Sequence, residues 1–298
     1  MRLATFEVGG VSRVGVVVGD EVVDLSVAAP DLPSDLVTLL SHGKPALEAA
    51  ASAVDTAHGG EARRPLDQVT LRSPILRPPK FFAVGLNYAE HVAEANGEPA
   101  GDLTVFLKAS SCVVGTGASI ERPLVSEQLD YEGELGIVIG KRCRHVPKEA
   151  ADQVIAGYVI VNDVSVRDWQ MKTPQWVLGK SFDTHGVVGP WLTTADEVDP
   201  SDLGLRTLVN GDVRQSSSTS YMMWDCATQV AIISKACTLE PGDIIATGTP
   251  AGVGGARKPQ LWMKAGDTVR VEIDGLGYIE NPVVDEVPSE SWLVGSHG

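Results

Sequence analysis

Apolar and polar residues alternate over short runs punctuated by glycine. Residues 2–6, 13–18 and 21–25 read as three strands joined by Gly-Gly and Gly-Asp turns. A stretch rich in Leu and Ala follows at 35–54 and predicts a helix. The run Arg72-Ser73-Pro74-Ile75-Leu76-Arg77-Pro78-Pro79 then breaks regular structure, which divides the chain into a small N-terminal β/α domain over 1–71 and a larger domain over 72–298. Within the larger part, residues 81–85, 105–108, 135–139 and 158–161 are apolar enough for buried strands. Residues 203–210 and 212–215 predict a hairpin, 223–237 an amphipathic helix, and 264–267 with 269–273 a last hairpin. A helix is expected to begin at Asp163 or Ser165. Many strands and few helices predict a β-rich α+β fold and argue against a doubly wound parallel sheet.

Composition narrows the partners. A net charge of −15 would repel nucleic acid and anionic membrane surfaces. The four cysteines show no Cys-x-x-Cys spacing, as expected of reduced thiols in a cytoplasmic protein. The N-terminus lacks the apolar core of a signal peptide, and no run approaches the roughly 18 apolar residues of a membrane span. A small-molecule partner is the expectation.

The chemistry concentrates in a few carboxylates. In Asp130-Tyr131-Glu132-Gly133-Glu134-Leu135, Glu132 and Glu134 are two apart and project to one side of a strand. The strand-like run ending at Val161-Asn162-Asp163 delivers a third carboxylate. Three such groups repel one another unless a cation neutralises them, and an all-oxygen set suits Mg2+, Mn2+ or Ca2+. The alternative is a solvated strand face. His91 and Glu94 are three apart in a predicted helix, where a carboxylate would fix the imidazole tautomer and make a general base; an ordinary surface pair is the alternative. Gly97 and Gly101 bracket this segment, which would let it act as a lid. Lys108 ends a strand, and Lys180 lies between a glycine and apolar residues, placed to stabilise charge developing on oxygen. Arg167 would pair with the carboxylates, Gln170 would offer its amide to substrate, and Thr249 would donate to a carboxylate or brace a turn. The loop at 247–254 is glycine-rich but lacks the Gly-Lys-Ser/Thr ending of a phosphate loop.

Together Val84-Gly85-Leu86-Asn87-Tyr88-Ala89-Glu90-His91, Phe106-Leu107-Lys108, Asp130 to Leu135, Asn162 to Gln170, Gly179 to Thr184 and Thr247 to Gly254 resemble the fumarylacetoacetate hydrolase family over about residues 72–285. The resemblance implies a mixed β-roll or sandwich catalytic domain, usually dimeric, that holds Mg2+ or Mn2+, with Ca2+ an option. It implies metal ligation by Glu132, Glu134 and Asp163, and catalysis by His91, Glu94 and Lys180. It assigns Gln170 and Thr249 to substrate and places Arg167 beside the metal site in a support role; Lys108 and Arg167 join them as substrate-binding candidates. The reaction expected is hydrolysis of a carbon–carbon bond in an acylpyruvate or related diketo acid. Decarboxylation of an oxaloacetate-like acid and isomerisation of a 2-hydroxydienoate are the alternatives within the family, and a non-catalytic member the alternative outside catalysis. Val166 and His185 depart from the family's usual residues without touching the ligands.

Overall fold

The computed structural model describes residues 1–57, 59–94 and 101–288. The run Gly133–Ile139 lies inside the largest sheet and is buried along its whole length. Ile155–Asp163 pairs with it on one side and Ile244–Ala246 on the other, both antiparallel. A strand hydrogen-bonded on both edges and covered on both faces needs a nearly continuous apolar run, and this sequence provides one. The sheet continues from Ile155–Asp163 through Gly186–Thr194, Arg2–Val8, Val11–Val18 and Glu21–Asp24 to Arg63–Pro65. In the other direction it passes through Ile244–Ala246 and Phe81–Gly85 to Thr104–Lys108. The pairing of Ile244–Ala246 with Phe81–Gly85 is parallel, so the sheet is mixed.

The two-residue period of a strand sends alternate side chains into different cores. Leu135, Ile137 and Ile139 enter one core with Leu205, Val271 and Ile273. Those partners come from a five-stranded second sheet, and Val230 and Ile233 of the helix Cys226–Ala236 close the same core. Val138, Val159 and Val161 enter the other core, which Leu36, Leu39, Leu40, Ala46 and Ala50 cover. Each fully buried Leu, Ile or Val contributes about 1.5–3 kcal/mol, so both faces stabilise the central strands. The result is the β-rich α+β architecture that the pattern predicts.

Local structure departs from the pattern where pairing or backbone geometry overrides it. The stretch at 35–54 forms two helices, Leu36–Ser41 and Lys44–Thr56. Gly43 at φ +67° turns the chain between them, and Pro45 in the first turn of the second lacks the N–H to continue the first. The N-terminal strands join the large sheet through Arg2–Val8, which pairs with Gly186–Thr194. No helix begins at Asp163 or Ser165. Asp163 is the end of its strand, and Ser165 and Val166 pair with Asp130 and Leu129, so the helix is the single turn Arg167–Gln170. The last hairpin joins Thr268–Ile273 to Gly277–Asp285 rather than starting at 264. Among the described residues no helix is long and apolar enough to cross a membrane.

Candidate metal centre

Antiparallel register brings the carboxylates together. Gly133 faces Asn162, so Glu132 and Asp163 are the next pair along, and the Asp163 N–H donates to the Glu132 carbonyl at 2.9 Å. The Asn162 side-chain oxygen accepts from the Glu132 N–H at 3.0 Å. Glu132 and Glu134 share the parity of Val138, and Asp163 that of Val161, so all three point to the face covered by the N-terminal helices. One carboxylate oxygen from each lies within 4.8 Å of the others, and all three residues are buried.

Three cations surround this cluster. The Lys180 ammonium donates to Glu132 Oε2 at 2.7 Å and to Asp163 Oδ2 at 2.8 Å. Lys108 Nζ lies 2.6 Å from Asp163 Oδ1. Arg167 donates from Nε to Asp130 Oδ2 at 2.8 Å and from Nη1 to Glu132 Oε1 at 2.6 Å. Burial works against ionisation of Glu132, but Lys180 and Arg167 outweigh it and hold the carboxyl well below its ordinary range. Burial likewise opposes the Lys180 charge, and Asp163 and Glu132 more than restore it.

Glu134 is the exception. It accepts from the Gly248 N–H at 2.8 Å, and no ion pair joins it among the described residues. Burial, then the Asp163 and Glu132 charges, push its carboxyl well above the ordinary range. Asp130, Glu132, Glu134 and Asp163 thus face three cations, and the uncompensated charge falls on Glu134. A divalent ion would satisfy that deficit, and three carboxylates are the hard oxygen donors that Mg2+, Mn2+ or Ca2+ require. The residues fit a metal ion.

Beside the cluster opens a pocket of about 440 Å3. Glu132, Lys180, Arg167, Gln170 and His91 contribute to its polar side. The His91 Nδ1 lies 2.8 Å from Glu94 Oε1. An ionised carboxylate only accepts, so this bond puts the imidazole proton on Nδ1 and leaves Nε2 basic. Glu94 Oε2 also accepts from the Gly252 N–H at 2.9 Å, which ties the helix Ala89–Glu94 to the glycine-rich loop. The lid expectation rests partly on Gly97, which lies outside the described residues.

Two residues expected at the substrate have other partners. Lys108 does not line the pocket: its side chain is fully buried against Asp163 and donates to the Lys180 carbonyl, so its charge is spent beneath the carboxylates. Thr249 reaches the pocket wall, yet its hydroxyl donates to the Gly133 carbonyl and accepts from Gln215 Nε2 rather than serving a carboxylate. It braces the strand that carries Glu134. The Gln170 carbonyl oxygen accepts from Arg167, which leaves its NH2 as the group to offer.

Sequence reasoning gave Asp130 no role. It accepts from Arg167 and from the N–H groups of Gly254 and Gly255, and so joins the guanidinium to the far wall. The paired glycines after Gly252 were the available signal, since a Cβ at Gly254 would stand 2.0 Å from the Leu261 carbonyl oxygen. Trp176 and Trp262, also in the wall, carried no such signal.

Residues 80–284 match the C-terminal domain of fumarylacetoacetate (FAA) hydrolase. The mitochondrial oxaloacetate tautomerase fahd2 of Xenopus laevis is 43% identical over 269 residues, 89% of this chain and 83% of that protein. A fumarylacetoacetate hydrolase from the psychrophile Exiguobacterium antarcticum superposes with a TM-score of 0.85 at 38% identity, over 96% of this chain and 100% of that one. Maleylpyruvate hydrolase from Sphingobium sp. SYK-6, solved with manganese (II) ion and pyruvate, gives 0.81 at 35% identity, over 96% and 99%.

Proposed function

This chain belongs to the fumarylacetoacetate hydrolase family, and from that premise we propose that it moves the proton on C3 of a small 2-oxo acid in a divalent-metal-dependent reaction, the keto–enol tautomerisation of oxaloacetate. The observation that carries this reading is the single oriented base. His91, with Nδ1 engaged by Glu94 and Nε2 left to accept a proton, lines the pocket together with Glu132 and Lys180. Oxaloacetate is the substrate in the name of a relative 43% identical to this chain.

A divalent ion held by Glu132, Glu134 and Asp163 would supply a Lewis acid for the oxygens at C1 and C2. Arg167 and Lys180 are the cationic side chains of the pocket among the described residues, and both pair with protein carboxylates. His91 Nε2 removes a C3 proton, and the electron pair moves to the C2 oxygen. The Lys180 ammonium stabilises that oxyanion, and solvent supplies the oxygen's proton. In the ketonising direction the imidazolium returns a proton to C3, so one residue serves as both acid and base.

A second reading, hydrolysis of a 2,4-dioxo acid, is favoured by the pocket volume, which exceeds the need of a four-carbon acid, and by the solved hydrolase with pyruvate. There His91 would deprotonate a water for attack on C4, and the C3–C4 bond would break. Incubation in oxygen-18 water separates the two. With oxaloacetate the metal-loaded protein is expected to interconvert keto and enol forms without producing carbon dioxide. With acetylpyruvate, oxygen-18 in released acetate at a rate exceeding oxaloacetate tautomerisation would replace the first reading by the second.

A further inference from the structure

The pocket mixes charged and apolar lining. Glu132, Lys180, Arg167 and His91 share it with Phe106 and Trp176, which touch each other and form an aromatic corner. Lys180 borders that corner. Its ammonium lies 5.1 Å from the centre of the Phe106 ring, and that ring meets Trp176 edge to face at 5.4 Å. Trp176 in turn rests on Gly85, where a Cβ would stand 2.5 Å from Trp176 Cζ3. The φ of Gly85 is not left-handed, so space for the indole, not backbone strain, is what requires glycine there.

The pocket's two cations already pair with protein carboxylates: Arg167 with Asp130 and Glu132, Lys180 with Glu132 and Asp163. A second carboxylate carried far along a substrate would meet aromatic carbon and lose its hydration without a partner. An uncharged ring or alkyl group would instead bury apolar surface against Phe106 and Trp176 and gain aromatic contact.

We propose that Trp176, seated on Gly85 and edge to face with Phe106, is the residue that sets specificity, selecting 2-oxo acids whose carbon chain beyond C4 ends in an uncharged apolar group. This rests on the reading of the site as one for 2-oxo acids and, within it, on the 2,4-dioxo acid alternative, since oxaloacetate ends at C4 in a carboxylate. It also gives the volume left over by oxaloacetate an occupant.

The test uses the full chain loaded with Mg2+ and three probes that share the 2,4-dioxo acid head: a methyl, a phenyl and a carboxyethyl group on C4. Calorimetric Kd values are read in the His91→Ala background, which keeps the metal ligands and lacks the base. The phenyl compound is expected to bind about tenfold tighter than the methyl one, the usual scale for one well-filled apolar pocket, and the carboxyethyl compound no tighter than methyl. Trp176→Ala should remove the phenyl-over-methyl preference, and Trp176→Phe should keep most of it. Gly85→Ala, which must displace the indole, should reduce it too. A preference unchanged in Trp176→Ala, or tightest binding by the carboxyethyl compound, overturns the proposal. If all three probes bind as expected while oxaloacetate is not tautomerised, the assigned reaction fails and the role of Trp176 stands.

Discussion

Replacing His91 with alanine is expected to lower kcat/KM for oxaloacetate tautomerisation by about 10²- to 10⁴-fold, the usual contribution of a positioned general acid–base. The variant should retain its Mg2+ affinity, because the imidazole bonds to Glu94 and not to Glu132, Glu134 or Asp163. Glu94→Gln should give an intermediate loss. A glutamine at this position offers the imidazole a donor as well as an acceptor, so the Nδ1–H tautomer is no longer enforced, and the Gly252 contact weakens with the charge. Steady-state kinetics paired with calorimetric metal titration read both effects. A His91→Ala enzyme within about tenfold of the parent would remove the base from the scheme.

The second large effect is expected at Glu134, whose replacement by glutamine should weaken divalent-metal binding by about 100-fold or more. Loss of a partner one step removed from a metal already costs about 10- to 100-fold, and a direct ligand costs at least as much. Stability of the metal-free protein should move the other way. Burial, Asp163 and Glu132 raise the Glu134 carboxyl in the folded state. Below the ordinary carboxyl range both folded and unfolded chains hold the proton, and its contribution is complete. As pH rises past that range the unfolded chain ionises first, the folded chain binds the extra proton, and stability falls until the raised folded value is passed. Glutamine cannot ionise and removes this slope. Urea unfolding in chelator should therefore show Glu134→Gln gaining on the parent as pH rises above the ordinary carboxyl range. Added Mg2+ should stabilise the parent and leave the variant nearly unmoved. Equal metal affinity in the two proteins would take Glu134 out of the centre.

The carboxylate cluster was partly readable in the sequence because its geometry is local. Glu132 and Glu134 sit two apart at the mouth of an apolar run and Asp163 ends the next such run, which left a solvated strand face as the alternative until the family resemblance was added; antiparallel pairing brings the three together. The central strands were readable too, since the apolar runs at 135–139 and 158–161 read as buried strands, whereas their division between two cores was not. The pocket was not. Its walls come from the regions around residues 85, 106, 128, 170, 176 and 253–262, which strand order and loop packing assemble. No spacing rule links Gly85 to Trp176, or Asp130 to Gly254 and Gly255. The helix expected at Asp163 failed on a similar point: Ser165 and Val166 found partners in Asp130 and Leu129, and pairing with a distant strand outweighed a local start signal. Lys108 was visible as a cation but not as one enclosed by Asp163 and the Lys180 carbonyl, because burial of a lysine depends on what folds over it.

The central claim is metal-dependent proton transfer at C3, and exchange of the oxaloacetate C3 protons for solvent deuterium, followed by proton NMR, tests it most directly. Mg2+ alone, the protein with Mg2+, and the protein with chelator are compared at equal oxaloacetate. Exchange well above that of Mg2+ alone, lost in chelator and lost again in His91→Ala, is the predicted result. Exchange no faster than with Mg2+ alone would contradict the account.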